Sequence, residues 1–325
     1  MTDKEVQFSS WIMAVVLATM AALVSNLGLN IQKLLHKRNE GLSDEAKTGY
    51  FKYGLWWCGL LMIMLGSVFD FLALTYGSQS LVTPLGSLTL VFNVFFAPLI
   101  VKERFACRDI AATAIIAGGC VSTVLFGAHD NKVFDSEELF TLYYNPTFVL
   151  YAVIAATIVV VLKLLIRWLE KREAAAELSN RPHLYHPYRA LHRASYPILS
   201  GIIGAQTVLF AKCVSELVVD SVNGGPFLLY HLRTYVVLFL MISSTLLQIK
   251  WLNDGLRRFD AAYNVPVFTA TWVIMSVLSG LIFYKEYDGL EEEKVLYFFC
   301  GILVTVIGIV LLSQRVVNTT TTTTS

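Results

Sequence analysis

The chain has 325 residues, 56% of them hydrophobic and 15% charged, with a formal net charge of +1 and a mean hydropathy of +0.61. Soluble domains carry about 25% charge, so 49 charged residues are too few to clothe a soluble surface of this size, and the near-neutral balance suggests no nucleic-acid partner. Five scattered cysteines, Cys58, Cys107, Cys120, Cys213 and Cys300, without a CxxC pair, argue against a disulfide scaffold or a zinc site.

A membrane-spanning helix needs about 20 predominantly apolar residues, and nine stretches meet that requirement. After an N-terminal segment, 1–10, the first span covers 11–35. It starts at Trp11 and is too long for a signal-peptide core, so it reads as a retained helix; Asn26 and Asn30 lie one turn apart in it. The second span, 55–77, carries Asp70 about 22 Å along its axis, in the outer third of the bilayer. The third, 79–101, holds Thr83, Pro84, Gly86 and Asn93. Pro84 frees a carbonyl four residues earlier, which either coordinates a cation where it lines a cavity or simply marks a kink. The fourth span, 108–127, offers Gly118, Gly119 and Ser122 as a small-residue packing face.

The fifth span is 147–168, with Lys163 near its inner end, able to snorkel. Residues 169–195 are expected to form a polar cytoplasmic loop with a short helical start, Lys171 to Leu178. Its His183, His186 and His192 read as solvated loop residues, since they lack acids or cysteines to complete a metal site. The sixth span, 196–219, carries Gln206, then Lys212 and Glu216 one turn apart on one face. Spans seven to nine are 230–252, 263–284 and 294–313, the eighth with Ser276 and Gly280 as a second packing face. The tail, 314–325, is nearly pure threonine and expected to be disordered, and its Asn318 glycosylation sequon is expected to stay unused on the cytoplasmic side.

Basic residues retained in short loops mark the cytoplasmic face. The odd-numbered loops, their flanks and the tail hold 18 of them, against five on the opposite face: Lys4, Lys132, Arg233, Lys285 and Lys294. The expected orientation is N-terminus outside and C-terminus inside. Twelve acidic residues fall on the outer face, either as plain solubilising groups or as a field that concentrates cations.

The two halves resemble each other. Lys102-Glu103 closes the third span and Lys285-Glu286 the eighth; at the same offset Gly118 falls on Gly301, Val121 on Val304 and Ser122 on Thr305. Five helices lie between the start of one copy and the start of the next, so the second enters from the opposite face. This inverted repeat, 11–168 (helices 1–5) and 196–313 (helices 6–9) with the fifth helix unpaired, is an organisation of secondary transporters, whose site lies near the midplane.

Ionisable residues deep in a span default to a functional hypothesis. Asp70 lines a cation path, neutralises Lys212 (a role Glu216 is equally able to take), or faces lipid by accident. Each of Asn26, Asn30, Asn93 and Gln206 is either a ligand or interhelical hydrogen-bond glue. No phosphate loop, HExxH or Ser/His/Asp constellation occurs, so an enzyme is not expected.

Leu81-Val82-Thr83-Pro84-Leu85-Gly86 resembles the LVTPLG motif of the NIPA magnesium-transporter family, within the drug/metabolite transporter superfamily. Gln32-Lys33, Trp56-Trp57-x-Gly59, Asn145-Pro146-x-Phe148, Gln248 to Asn253 followed by Phe259-Asp260, and Phe283-Tyr284-Lys285-Glu286 fit the family's pattern in order over about 24–313. The resemblance implies an all-α polytopic membrane protein, about nine transmembrane helices in a drug/metabolite-transporter-like inverted repeat. It implies transport of Mg²⁺ or another divalent cation as cargo, with no cofactor and no nucleic-acid partner. The setting would be the lipid bilayer of the plasma membrane or early endosome, and a homo-oligomer is compatible with it. The expected metal-ligating set is Asp70, Glu216, Asn26, Asn30, Asn93 and Gln206, with Lys212, Pro84, Thr83 and Gly86 structural or gating. Two departures stand out. Ser67 and Asp70 occupy positions where the family commonly has an acid or Gln and then Asn, moving the carboxylate by about one turn; Val265 to Thr269 replaces a Tyr-rich segment. The rival functions are an organic-metabolite carrier of the same superfamily and a non-transporting membrane scaffold.

Overall fold

In lipid every backbone N–H and C=O must be satisfied within the chain, and for apolar runs of about 20 residues the helix does this locally. The computed structural model describes residues 3–40, 53–102, 106–128, 132, 134–179, 181, 183, 185–223 and 232–313, and no strand occurs among them. The helices in order are α1 (Asp3–Glu40), α2 (Gly54–Tyr76), α3 (Gln79–Gly86), α4 (Leu88–Phe96), α5 (Cys107–Phe126), α6 (Ser136–Leu142), α7 (Pro146–Leu178), α8 (Arg189–Val222), α9 (Leu232–Arg258), α10 (Ala261–Phe283) and α11 (Glu292–Ser313). Among the described residues nine stretches are long and apolar enough to cross a membrane, with α3, α4 and a π-helical turn at Ala97–Val101 counting as one. The Thr-rich tail, Asn318 and Glu103 lie outside the described residues.

One compact unit takes in α1–α5 and α11, the other α6–α10. The units therefore cut across the two sequence halves: the fifth span packs with the sixth to eighth, and the last span with the first four.

In the first unit α1 is the central helix. Its small residues Ala14, Ala18, Ala21 and Ala22 are buried, and they let α2 approach closely: Gly77 sits against Ala14, Gly66 against Ala21 and Ser25, and Gly59 against Gly28. This antiparallel register is the close packing that apolar helices use in lipid, where apolar character alone gives no drive to associate. Helices α5 and α11 meet in the same way. A Cβ on Gly119 would lie 2.5 Å from the Thr305 nitrogen, whereas one on Gly118 would meet nothing. Of the expected packing face, Gly119 and Ser122 serve, Ser122 lying against Gly301 and donating to the Tyr297 carbonyl at 3.2 Å, and Gly118 does not.

The third span breaks at Ser87. Pro84 interrupts the helix, and its carbonyl accepts from the Ser87 amide at 3.0 Å and hydroxyl at 2.6 Å, and from the Cys120 thiol at 3.3 Å. The span ends at Lys102 in the left-handed region, φ 58°, and α10 is followed by Lys285 in the same conformation, φ 52°. These are the non-glycine residues with positive φ among those described. They are also the two lysines aligned between the halves, so a strained backbone feature recurs where the sequences correspond.

In the second unit α8 is central, packed by α7, α9, α10 and α6. Gly201 receives Thr271, Gly204 receives Trp272 and Gln248, and Gly255 receives Tyr196. Ile166, Tyr196, Leu199 and Ile203 form a buried core. The loop expected over 169–195 is much shorter: α7 runs on to Leu178 and α8 begins at Arg189.

Candidate functional site

The broken third span brings Asn26, Asn30 and Asn93 together in the first unit. Asn26 and Asn30 sit one turn apart on α1, which runs parallel to α4, so each reaches the residue 63 positions on. The Asn26 amide donates to the Thr89 carbonyl at 2.9 Å. The Asn30 amide donates to Asn26 Oδ1 at 2.8 Å and to Asn93 Oδ1 at 3.1 Å. Asn30 is 2% exposed, and its own Oδ1 is buried without a hydrogen-bond donor. An unsatisfied buried acceptor is costly. Both protons of the Asn30 amide are engaged inside the cluster, so what Asn30 still offers is an oxygen.

The neighbouring motif builds this place. Thr83 is buried and donates to the Gln79 carbonyl at 2.8 Å, capping nothing beyond its own helix. Thr89 Oγ1 donates to the Gly86 carbonyl at 2.6 Å, fixing the step between α3 and α4 that aims the Thr89 carbonyl at Asn26. Lys37, which sequence reading passed over as a loop charge, donates to the Val101 carbonyl at 3.0 Å and closes the other end of the span.

Asp70 is elsewhere. It lies on α2 with an exposed side chain, without an ion pair or hydrogen bond among the described residues. The α1–α2 register sets it roughly level with Ala18 to Ala21, about 10 Å along α1 from Asn26. Asp70 and the amides therefore do not surround one point.

Lys212 and Glu216 are both 1% exposed and pair with each other along α8, Nζ to Oε1 2.7 Å. Of the two carboxylates weighed as partner for Lys212, it is Glu216 that holds it. The Phe134 amide approaches Glu216 Oε2 at 3.4 Å, and the Tyr284 ring lies 5.8 Å from Lys212 Nζ. One turn farther, Asp220 accepts from the Ser136 amide at 3.2 Å and from its hydroxyl. Between them runs a chain that no sequence signal marked: Tyr143 hydroxyl to Cys213 Sγ at 3.2 Å, Cys213 to the Tyr284 hydroxyl at 3.1 Å, and that hydroxyl to the Leu209 carbonyl at 3.0 Å. Burial, then the adjacent Cys213, pushes the Tyr143 phenol up from its ordinary range, so it stays a protonated donor. Gln206 is in this second unit, donating to the Tyr151 hydroxyl at 2.8 Å, and does not join the amides of the first.

His192 corrects the solvated-loop expectation. It is 0% exposed, its Nδ1 2.6 Å from the Tyr185 hydroxyl and 3.8 Å from Glu173, because it occupies the inward stripe of α8 with Tyr196 and Leu199. That i, i+4, i+7 spacing was the signal available. Arg258 bridges Glu170 and Glu173, each at 3.2 Å, and the Tyr196 hydroxyl donates to Glu170 at 2.6 Å.

No group of three His, Cys, Asp or Glu side chains able to hold a metal occurs among the described residues. A divalent ion here would meet amide and carbonyl oxygens and isolated carboxylates, the sparse surroundings that suit an ion keeping most of its water.

A family model described as "Magnesium transporter NIPA" matches residues 9–180 and 183–316. Among similar proteins, the probable magnesium transporter NIPA8 of Arabidopsis thaliana is 31% identical over 309 residues, covering 93% of this chain and 69% of that protein. The probable magnesium transporter NIPA1 of the same plant is 26% identical, covering 84% and 76%, and the human NIPA-like protein 2 is 24% identical, covering 93% and 73%. No solved structure matches.

Proposed function

Because this chain belongs to the NIPA magnesium-transporter family, we propose that it carries Mg²⁺ across a membrane, by secondary transport or facilitated diffusion, with its two sequence halves inserted in opposite senses. The observation that carries this reading is the amide cluster at the broken third span, whose spare group is the Asn30 carbonyl oxygen. Hydrated Mg²⁺ presents outward-pointing water protons and surrenders its water reluctantly, so it suits a wall of oxygen acceptors. An anion would need the amide protons that the cluster already uses. Asp70, about two turns outward, supplies the charge that draws the hydrated ion toward the amides. Glu216 then belongs to Lys212 and acts as a fixed pair.

The rival organic-metabolite carrier, were its cargo an anion, loses Lys212 as an anchor, since the ammonium is 2.7 Å from Glu216. The membrane is proposed to be the plasma membrane or early endosome, with the N-terminus outside and the C-terminus in the cytoplasm, and a homo-oligomer is compatible with the reading.

The test is Mg²⁺ uptake into liposomes holding the purified full chain. Asp70→Asn keeps the shape and removes the charge, and uptake falls at least about tenfold, equivalent to about 1.4 kcal/mol. Asn30→Leu abolishes the oxygen and lowers uptake comparably. Unchanged uptake in both variants, with normal amounts in the vesicles, overturns the reading, and no uptake by the unaltered protein leaves the scaffold alternative standing.

A further inference from the structure

Arg193 is the cation whose surroundings the transport reading leaves unexplained. It stands on the fifth residue of α8, and its guanidinium carbon lies 3.7 Å from the centre of the Tyr263 ring at the start of α10. Its Nε is buried with no hydrogen-bond partner, and it makes no ion pair with a carboxylate among the described residues. Two acids of that end of the second unit are engaged elsewhere: Glu170 and Glu173 both hold Arg258. A half-buried guanidinium without an anion is unfavourable. Stacking on an aromatic ring fixes its plane and leaves the N–H edges free, the disposition arginine uses to grip phosphate.

Its depth says which phosphate. The stretch His186–Val222 has 37 residues, far more than the about 20 that cross the hydrocarbon. The apolar run starts at Tyr196, three residues on, so Arg193 sits about 4.5 Å outside the hydrocarbon edge. The headgroup layer is about 5–7 Å thick on each side, and Tyr263 opens its own span at the same edge, where interfacial tyrosines gather. Arg189, one turn before Arg193 and exposed, stands on the same helical face, ready for a second anionic oxygen.

We propose that Arg193, stacked on Tyr263 with Arg189 beside it, binds the phosphate of an anionic lipid headgroup. The bound lipid ties the start of α8 to the start of α10 and so braces the central helix of the second unit.

Purified full-length protein in mixed micelles containing phosphatidylglycerol, against micelles with phosphatidylcholine alone, tests this. Lipid retained per protein is read by mass spectrometry, and thermal stability is read in parallel, because a ligand that binds only the folded chain raises its melting temperature. The unaltered protein retains phosphatidylglycerol and melts higher with it. Arg193→Gln retains at least about tenfold less, the loss expected for a charge-assisted contact, and its melting point no longer responds. Tyr263→Phe keeps the ring and the lipid, whereas Tyr263→Leu loses the lipid. Arg193→Lys keeps a cation but not the stacked fork; should Arg193→Gln not fold, reduced retention in this variant carries the result. Retention by Arg193→Gln equal to the unaltered protein overturns the site. Equal protection by inorganic phosphate in phosphatidylcholine micelles overturns the lipid as its occupant.

Discussion

Replacing Lys212 by Met tests whether the Lys212–Glu216 pair is a fixed strut of the second unit. Both side chains are 1% exposed and 2.7 Å apart, so the Glu216 carboxylate in Lys212→Met keeps only the long 3.4 Å approach of the Phe134 amide. Removing one partner of such a pair costs about 3–5 kcal/mol, because the other charge stays buried and uncompensated. At about 2–4 °C per kcal/mol for a unit of this size, the melting temperature falls by about 6–20 °C. Glu216→Gln alone strips the ammonium of its carboxylate and also lowers the melting temperature. The double variant Lys212→Met with Glu216→Gln leaves no buried charge, and the amide oxygen still accepts from Phe134. It recovers to within about 1 kcal/mol of the unaltered protein, since a buried pair and a neutral replacement of similar volume are close in energy. The assay is fluorescence-detected size-exclusion chromatography of heated, detergent-solubilised protein. Single variants that melt with the unaltered protein, or a double variant as weak as the singles, refute the reasoning.

At the α5–α11 crossing, Gly119→Ala forces a Cβ to 2.5 Å from the Thr305 nitrogen and loses about 1–3 kcal/mol. Gly118→Ala meets open space and gains up to about 1 kcal/mol of helix propensity; the same thermal assay separates the two, and equal losses would contradict the packing. Glycine at Lys102 or Lys285 fits the left-handed backbone and leaves stability level or slightly raised, whereas valine there costs about 1–3 kcal/mol; melting curves that rank glycine below valine count against it. Lys102→Cys and Lys285→Cys, in a background without the other cysteines, label from opposite faces of sealed vesicles under the inverted repeat, and labelling of both from one face excludes it.

The nine spans, a break close to Pro84 and the order of the family motifs were legible in the sequence because each is a property of consecutive residues. A run of apolar side chains long enough for the bilayer, a proline without an N–H, or a pair of lysines recurring at a fixed offset needs no partner to be recognised. What failed were the statements about which side chain faces which. Hydropathy cannot separate the protein-facing from the lipid-facing side of a membrane helix when both are apolar, since the contacts there rest on fit between small residues. So Gly118 and Gly119 look alike in the sequence, and only the crossing with α11 distinguishes them. Asp70 and Glu216 are equally plausible partners for Lys212 until α8 is seen to satisfy it within one turn. His192 reads as a loop residue until α8 is seen to begin at Arg189, carrying it inward onto Tyr185. The amides were the opposite case: their residue type announced a polar site, but it took the parallel run of α1 beside the broken third span to put Asn26, Asn30 and Asn93 in one cluster and leave Gln206 out of it.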